Sequence, residues 1–218
     1  MKSNRTFFMA AAVPAVFVLL VIIAAIYKPG KASWASESNM SELGVMWAGY
    51  AQKDTPVSEG ETYYATGKTI NIPMEEMERA VKYYQIGGSS NAAALADQYV
   101  KERNALYAAA LANGYTATED EIRQYLDELR GLLYSSENKE DIFSVIRGFG
   151  SEDEYWAYEY TVYQKEYPII KYTEALRDEY LNNVQGTYSE EGWQTYFANI
   201  KNALVQDQVF VINTEYTR

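Results

Sequence analysis

Residues 91–130 read NAAALADQYVKERNALYAAALANGYTATEDEIRQYLDELR, and this stretch decides the fold. Apolar side chains recur in it at helical intervals, which predicts two amphipathic helices. The stripe of the first helix holds Leu95, Tyr99, Leu106 and Ala110, and that of the second holds Ile122, Leu126, Leu129 and Leu133. Gly114 suits the left-handed conformation that ends a helix, and Thr118 with Glu121 forms a capping box that opens the next. We expect the two helices to pack against each other and the rest of the domain to cover them.

The composition limits the classes of function. The chain has 218 residues, of which 48% are hydrophobic and 15% aromatic, so it can build a folded core. It contains neither cysteine nor histidine, which excludes disulfides, cysteine-ligated zinc and catalysis by a thiolate or an imidazole. The net charge of −11 disfavours nucleic-acid binding, since phosphates are bound by clusters of Lys and Arg.

The amino-terminal segment predicts membrane attachment. Residues 7–27 carry no charged side chain and are long enough to cross a bilayer as a helix. We therefore predict a signal-anchor over residues 1–27, which makes the protein a single-pass membrane protein with its domain outside the cytoplasm. A long signal peptide is the alternative, because the small residues Ser33 and Ala35 offer a cleavage site that would release a secreted protein.

The segment 28–61 is predicted to be a flexible linker. It is rich in Ser, Gly, Ala, Glu and Pro and shows no sustained hydrophobic period. Within it, Leu43, Met46 and Trp47 leave open a short amphipathic turn that rests on the membrane or on the domain.

Residues 62–218 are predicted to form one mainly α-helical domain with a small β element. Residues 62–72 indicate a hairpin with its turn at Thr66–Gly67, and a closing strand near 209–213 is its natural partner. Several helices lie between them. The longest opens at a second capping box, from Ser151 to Glu154, and Pro168 predicts a kink or a break inside it.

The order of these elements resembles the SurA N-terminal-domain superfamily over residues 63–212. The resemblance is carried by three segments: ALADQYVKERNALY at 94–107, ANGYTATEDEI at 112–122 and GFGSEDEYW at 148–156. Members of this superfamily are the helical chaperone modules of extracytoplasmic foldases such as SurA and PrsA, and are distantly similar to the client-binding region of trigger factor. The closest similarity is to membrane-anchored, Gram-positive-type members.

The resemblance implies the chaperone module without the enzyme. In the foldases the module flanks a parvulin-type prolyl isomerase domain whose site relies on histidines. Here only residues 131–151 could hold an insertion, which is too short for that domain, and the chain has no histidine. We therefore assign no catalytic residue and expect no isomerase activity.

The remaining candidate residues are acidic or aromatic. Most acidic clusters lie at predicted helix starts, where negative charge favours the helix, so we assign neither a metal site nor a cofactor. Aromatic and methionine side chains on the helices could instead offer tolerant apolar contacts to a polypeptide. The candidate polypeptide-binding residues are Met74, Met77, Tyr84, Tyr99, Tyr107, Trp156, Tyr160 and Tyr163. The alternative is that these stripes simply pack against neighbouring helices.

The resemblance implies a membrane-tethered chaperone-like module that captures unfolded or extended client polypeptides during secretion or envelope assembly. The alternative is a dedicated adaptor that recruits one partner to a membrane-bound assembly.

Overall fold

The computed structural model describes residues 36–52, 62–136, 139–183 and 188–213. Within these ranges it is mainly helical, with one three-stranded sheet. The elements in chain order are α1 (Glu37–Ala51), β1 (Tyr63–Thr66), β2 (Asn71–Pro73), α2 (Met74–Ile86), α3 (Ala92–Ala112), α4 (Glu119–Ser135), α5 (Lys139–Ile146), α6 (Glu152–Asn183), α7 (Glu190–Gln208) and β3 (Val211–Ile212). The mainly α-helical class with a small β element is confirmed.

The sheet is antiparallel with the order β2-β1-β3. The predicted hairpin is confirmed, but its connection is longer than a Thr66–Gly67 turn. It spans residues 67–70, and the Gly67 N–H donates to the Ile70 carbonyl at 2.9 Å. The predicted partnership with the closing segment is also confirmed, since Ala65 of β1 lies opposite Ile212 of β3.

The two central helices of the sequence prediction do not pack mainly against each other. Helix α3 lies against α2, α6 and α7, whereas α4 lies against α6 and α5. Two helices connect the rest: α3 contacts α2, α6, α7 and β2, and α6 contacts α1, α3, α4 and α7. The prediction was wrong because a stripe shows that a helix has a buried face but does not say which helix covers it.

The local signals between α3 and α4 are confirmed. Gly114 has a positive φ of 81°, as a left-handed helix stop requires. The Glu121 N–H donates to Thr118 Oγ1 at 3.3 Å, and the Thr118 N–H donates to Glu121 Oε2 at 2.8 Å. The box therefore satisfies two amides at the start of α4.

Helix α1 corrects the flexible linker predicted over 28–61 and extends the domain predicted to begin at residue 62. Residues 37–51 are helical, and Ser36 caps them by accepting the Asn39 N–H at 3.1 Å. Met40, Leu43 and Trp47 are buried and pack with α5 and the start of α6. The alternative left open for Leu43, Met46 and Trp47, a short amphipathic segment that rests on the domain, is therefore the one that the structure shows.

The long helix is continuous through Pro168, so of the predicted kink or break the break is wrong. Proline removes one N–H from the helical ladder, and the carbonyl that it leaves without a donor belongs to Gln164, an exposed residue that water can reach. The second predicted cap is present at the start of this helix, where the Glu154 N–H donates to Ser151 Oγ at 3.2 Å.

The predicted membrane span at residues 7–27 lies outside the described residues. None of the helices in the part of the chain that the structure describes combines the length and the hydropathy needed to cross a bilayer.

Candidate functional site

A groove of about 440 Å³ runs between α4 and α6. Each helix contributes four residues at intervals of three, one and three, so each wall is a single helical face. The wall from α4 holds Arg123, Leu126, Asp127 and Arg130, and the wall from α6 holds Asp153, Trp156, Ala157 and Tyr160. Ala157 is exposed and supplies apolar surface to the groove, whereas Leu126 is 7% exposed and adds little.

Polar contacts hold the Trp156 ring in place. Its indole N–H donates to Glu152 Oε1 at 3.0 Å, and the same carboxylate pairs with Arg130 at 2.8 Å. The Arg130 guanidinium lies 5.8 Å from the centre of the Trp156 ring. Partial burial opposes ionisation of Glu152, but hydrogen bonds from Trp156 and Tyr134 and the charge of Arg130 outweigh it and lower its pKa. Glu152 is therefore a charged anchor for the tryptophan at neutral pH.

Tyr160 contacts the other arginine of the groove. The Arg123 guanidinium lies 4.8 Å from the centre of its ring, within the range of a cation–π contact. Trp156 and Tyr160 are both only partly buried, so each keeps some ring surface at the groove. The groove therefore has two partly exposed aromatic anchors, and a hydrogen bond fixes the orientation of one of them, Trp156.

A second, smaller groove of about 290 Å³ lies between α1 and α6. Its aromatic residues, Phe149 and Tyr158, are buried in the core formed with α1 and expose little ring surface. The groove between α4 and α6 is the better binding site for that reason.

Of the eight predicted binding residues, the structure brings only Trp156 and Tyr160 together in a groove. Met77, Tyr99 and Tyr163 are core residues, with 9%, 7% and 1% of their surface exposed. They cannot line an open surface in this conformation, and the alternative of helix packing holds for them.

The other three predicted residues are partly buried at separate places. Met74 and Tyr84 pack against the core between the sheet, α2 and α3. Tyr107 packs against the core between α3, α4, α6 and α7, and the Lys165 ammonium lies 5.6 Å from its ring centre. The eight residues therefore do not form one continuous binding surface.

The wall from α4 was missed in the sequence. Its signal was available, because residues 123, 126, 127 and 130 share one helical face beside the buried stripe. The pattern gained meaning only when the structure placed Trp156 and Tyr160 opposite it.

A buried charge cluster joins α2, α3 and α6, and it consists of Glu76, Arg103, Asn104, Lys165 and Glu166. Arg103 binds Glu76 at 2.7 Å and also pairs with Glu166. Lys165 donates to Glu76 Oε2 at 2.8 Å and to Asn104 Oδ1 at 2.7 Å. The residues come from three distant parts of the chain, so spacing in the sequence did not reveal the cluster.

The ionisation of this cluster follows from burial and mutual attraction. Burial by itself would raise the pKa of Glu76, but the charges of Lys165 and Arg103 outweigh it and lower the pKa. Burial lowers the pKa of Lys165 to about 8, against the opposing pull of Glu76. We interpret the cluster as a structural group that holds three helices together rather than as a reactive site, because none of its residues lines either groove.

Glu159 is the least compensated buried carboxyl group. It is 1% exposed, and its Oε1 has no hydrogen-bond partner among the described residues. Burial raises its pKa to about 8, and repulsion from Glu166 adds to this, while the neighbouring Tyr155 hydroxyl acts in the opposite direction. Glu159 is therefore largely protonated in the folded protein at neutral pH.

This burial predicts a stability that falls with pH. Between about pH 4.5 and about pH 8 the folded protein keeps the Glu159 proton that the unfolded chain has lost, so unfolding releases a proton. Glu159→Gln should remove this dependence and raise the free energy of unfolding at pH 8 by on the order of 4 kcal/mol. The gain should shrink toward pH 4.5, where the acid is protonated in both states.

Urea unfolding across pH 4.5–8 tests this expectation. Glu179→Gln, an exposed change on the same helix, is the control and should parallel the unchanged protein. A gain from Glu159→Gln that is equal at every pH would contradict the assignment of a buried neutral acid.

In the part of the chain that the structure describes, no group of three or more Asp or Glu side chains is arranged so that it could hold a metal ion. No family model matches the chain, and neither the curated proteins nor the solved structures contain a significant match. The groove between α4 and α6 is therefore the feature of the structure on which a function can be proposed.

Proposed function

We propose that this protein binds extended or non-native polypeptide in the groove between α4 and α6, without catalysing a reaction. The observation that carries the proposal is the pair of partly exposed rings of Trp156 and Tyr160, which line one groove together with the exposed Ala157. Such rings give large apolar contact area to many kinds of side chain. A site of this type suits many different apolar segments rather than one specific partner.

The fixed orientation of the Trp156 ring supports binding in a further way. Ordering a mobile side chain costs free energy on association. Glu152 and Arg130 already hold Trp156, and Arg123 already lies over Tyr160. A bound segment therefore meets at least one anchor, Trp156, that needs little further ordering.

The setting that we propose follows from the amino-terminal sequence. Residues 7–27 would hold the protein in the membrane, with the helical domain on the extracytoplasmic side. There the groove would capture secreted chains reversibly before they fold, and release would need no nucleotide. The resemblance to the SurA N-terminal-domain superfamily agrees with this role.

Removing the two aromatic anchors should abolish most of the binding. We expect the double variant Trp156→Ser with Tyr160→Ser to bind an unfolded model protein at least about tenfold more weakly, since such anchors each contribute on the order of 1–2 kcal/mol. The measurement is suppression of aggregation of a reduced, unfolded protein by the full chain in nanodiscs. Unfolding midpoints of all variants show whether the fold is retained.

The matched control replaces two other partly buried tyrosines, Tyr115 and Tyr196, which do not line the groove. Their double replacement by serine should leave suppression within about twofold. Equal loss in both double variants would contradict the groove as the binding site. A full chain that suppresses no aggregation but retains one tight partner from the membrane would favour the adaptor function.

A further inference from the structure

The groove between α4 and α6 carries uncompensated negative charge. Asp127 on α4 and Asp153 on α6 are exposed and line its two walls. Among the residues that the structure describes, neither carboxylate has a hydrogen bond or an ion pair from its side chain. Two carboxylates on opposite walls therefore line the groove without a basic side chain paired to them in the part of the chain that the structure describes.

The arginines of the groove offset this charge only in part, because each also has an acidic partner. Arg130 pairs with Glu152 at 2.8 Å, and Arg123 lies 4.0 Å from Glu119. Both guanidiniums also lie over aromatic rings. The lining itself holds two arginines and two aspartates, and the acidic partners Glu119 and Glu152 beside it bring the local total to two positive and four negative groups. The chain as a whole, at −11, adds to the same field.

We propose that the groove selects polypeptide segments in which a lysine or arginine lies next to apolar residues. The apolar side chains would rest on Trp156 and Tyr160, and the cationic side chain would extend between Asp127 and Asp153. The long apolar stem of a basic side chain suits a groove with an apolar interior and a charged rim. This inference rests on the proposed function and adds the chemical class of the bound segment.

Three peptides of one apolar framework test the selectivity. They have equal length and differ only at two positions, which hold lysine, serine or glutamate. Their affinities for the full chain in nanodiscs of neutral lipid are measured by fluorescence anisotropy. We expect the lysine peptide to bind about fivefold more tightly than the serine peptide, and the glutamate peptide to bind most weakly. The preference should decrease as salt rises, because salt screens exposed charges.

Two charge-matched double variants locate the effect. Asp127→Asn with Asp153→Asn should bring the ratio of lysine-peptide to serine-peptide affinity close to one. Asp178→Asn with Glu179→Gln removes the same charge from exposed positions of α6 outside the groove and should preserve the ratio. Equal loss of the ratio in both variants would overturn the inference, because it would show that net charge alone attracts the peptide.

The outcomes separate this inference from the function on which it rests. Equal binding of all three peptides, dependent on Trp156 and Tyr160, would overturn the selectivity and leave polypeptide binding intact. Tighter binding of the glutamate peptide would do the same. A failure of all three peptides to bind would overturn both proposals.

Discussion

Replacing Gly44 by alanine is expected to lower the free energy of unfolding by on the order of 3 kcal/mol or more. Gly44 lies in the middle of α1, where the helix meets the end of α5. A Cβ at this position would overlap the backbone carbonyl of Val145, and one at Gly148 would overlap the backbone of Gly44. The two segments therefore touch through their main chains, and neither can yield as a flexible side chain would.

The expected loss is large because α1 must move as a unit. Any shift that makes room for a methyl group also withdraws Met40, Leu43 and Trp47, which are at most 2% exposed. Urea unfolding followed by far-ultraviolet circular dichroism measures the effect. Gly148→Ala should behave like Gly44→Ala, since it enters the same contact from the other side.

Gly49 provides the matched control on the same helix. A Cβ there would have no heavy atom within 4 Å among the described residues, apart from its chain neighbours and the nearby backbone of its own helix. Gly49→Ala should therefore stabilise the protein by about 0.5–1 kcal/mol, the usual gain of alanine over glycine inside a helix. If both alanine variants had the same stability, the close packing of α1 on α5 would be disproved.

The second large effect is expected at Arg103. Arg103→Met would leave Glu76 and Glu166 buried with Lys165 as their remaining cation. Removing one member of a buried ionic group typically costs about 3–5 kcal/mol, because the partner charge stays desolvated. We expect a loss of that order, measured by urea unfolding at pH 7.

Two further variants make this prediction specific. Arg103→Met combined with Glu166→Gln should recover much of the loss, since the unpaired carboxylate is then replaced by a neutral group. Lys68→Met breaks the exposed pair with Asp207, whose atoms lie 3.0 Å apart, and should cost less than about 1 kcal/mol. Equal losses from Arg103→Met and Lys68→Met would contradict a structural role for the buried cluster.

The features that could be predicted from the sequence are those decided by nearby residues. The capping box of Thr118 and Glu121, the stop at Gly114 and the hairpin each depend on a few consecutive side chains, and each is present. The pairing of the hairpin with β3 could also be inferred, since a two-stranded ribbon is seldom stable alone. The break at Pro168 failed because tertiary packing holds the long helix together around one missing hydrogen bond.

The features that escaped prediction depend on distant partners. Helix α1 is a core element because Val145 at the end of α5, and Gly148 just after it, approach the α1 backbone at Gly44. Glu159 and Glu166 look like exposed charges in the sequence, and they are buried because α6 is covered by other helices on several sides. In the groove, Trp156 and Tyr160 were predicted as binding residues. Arg123, Asp127 and Asp153 could not be assigned to the same site, because the sequence does not show that α4 and α6 face each other there.

The pairing of β1 with β3 also constrains when folding can be completed. Asn213 donates a hydrogen bond to the Tyr63 carbonyl, 150 positions earlier in the chain. A contact of this span closes a long loop and is slow to form, whereas helices and the local hairpin form early. As the chain leaves the ribosome from its amino end, β1 lacks its second neighbouring strand until β3 emerges. The protein is thus itself a non-native polypeptide with an unprotected strand edge for most of its own synthesis.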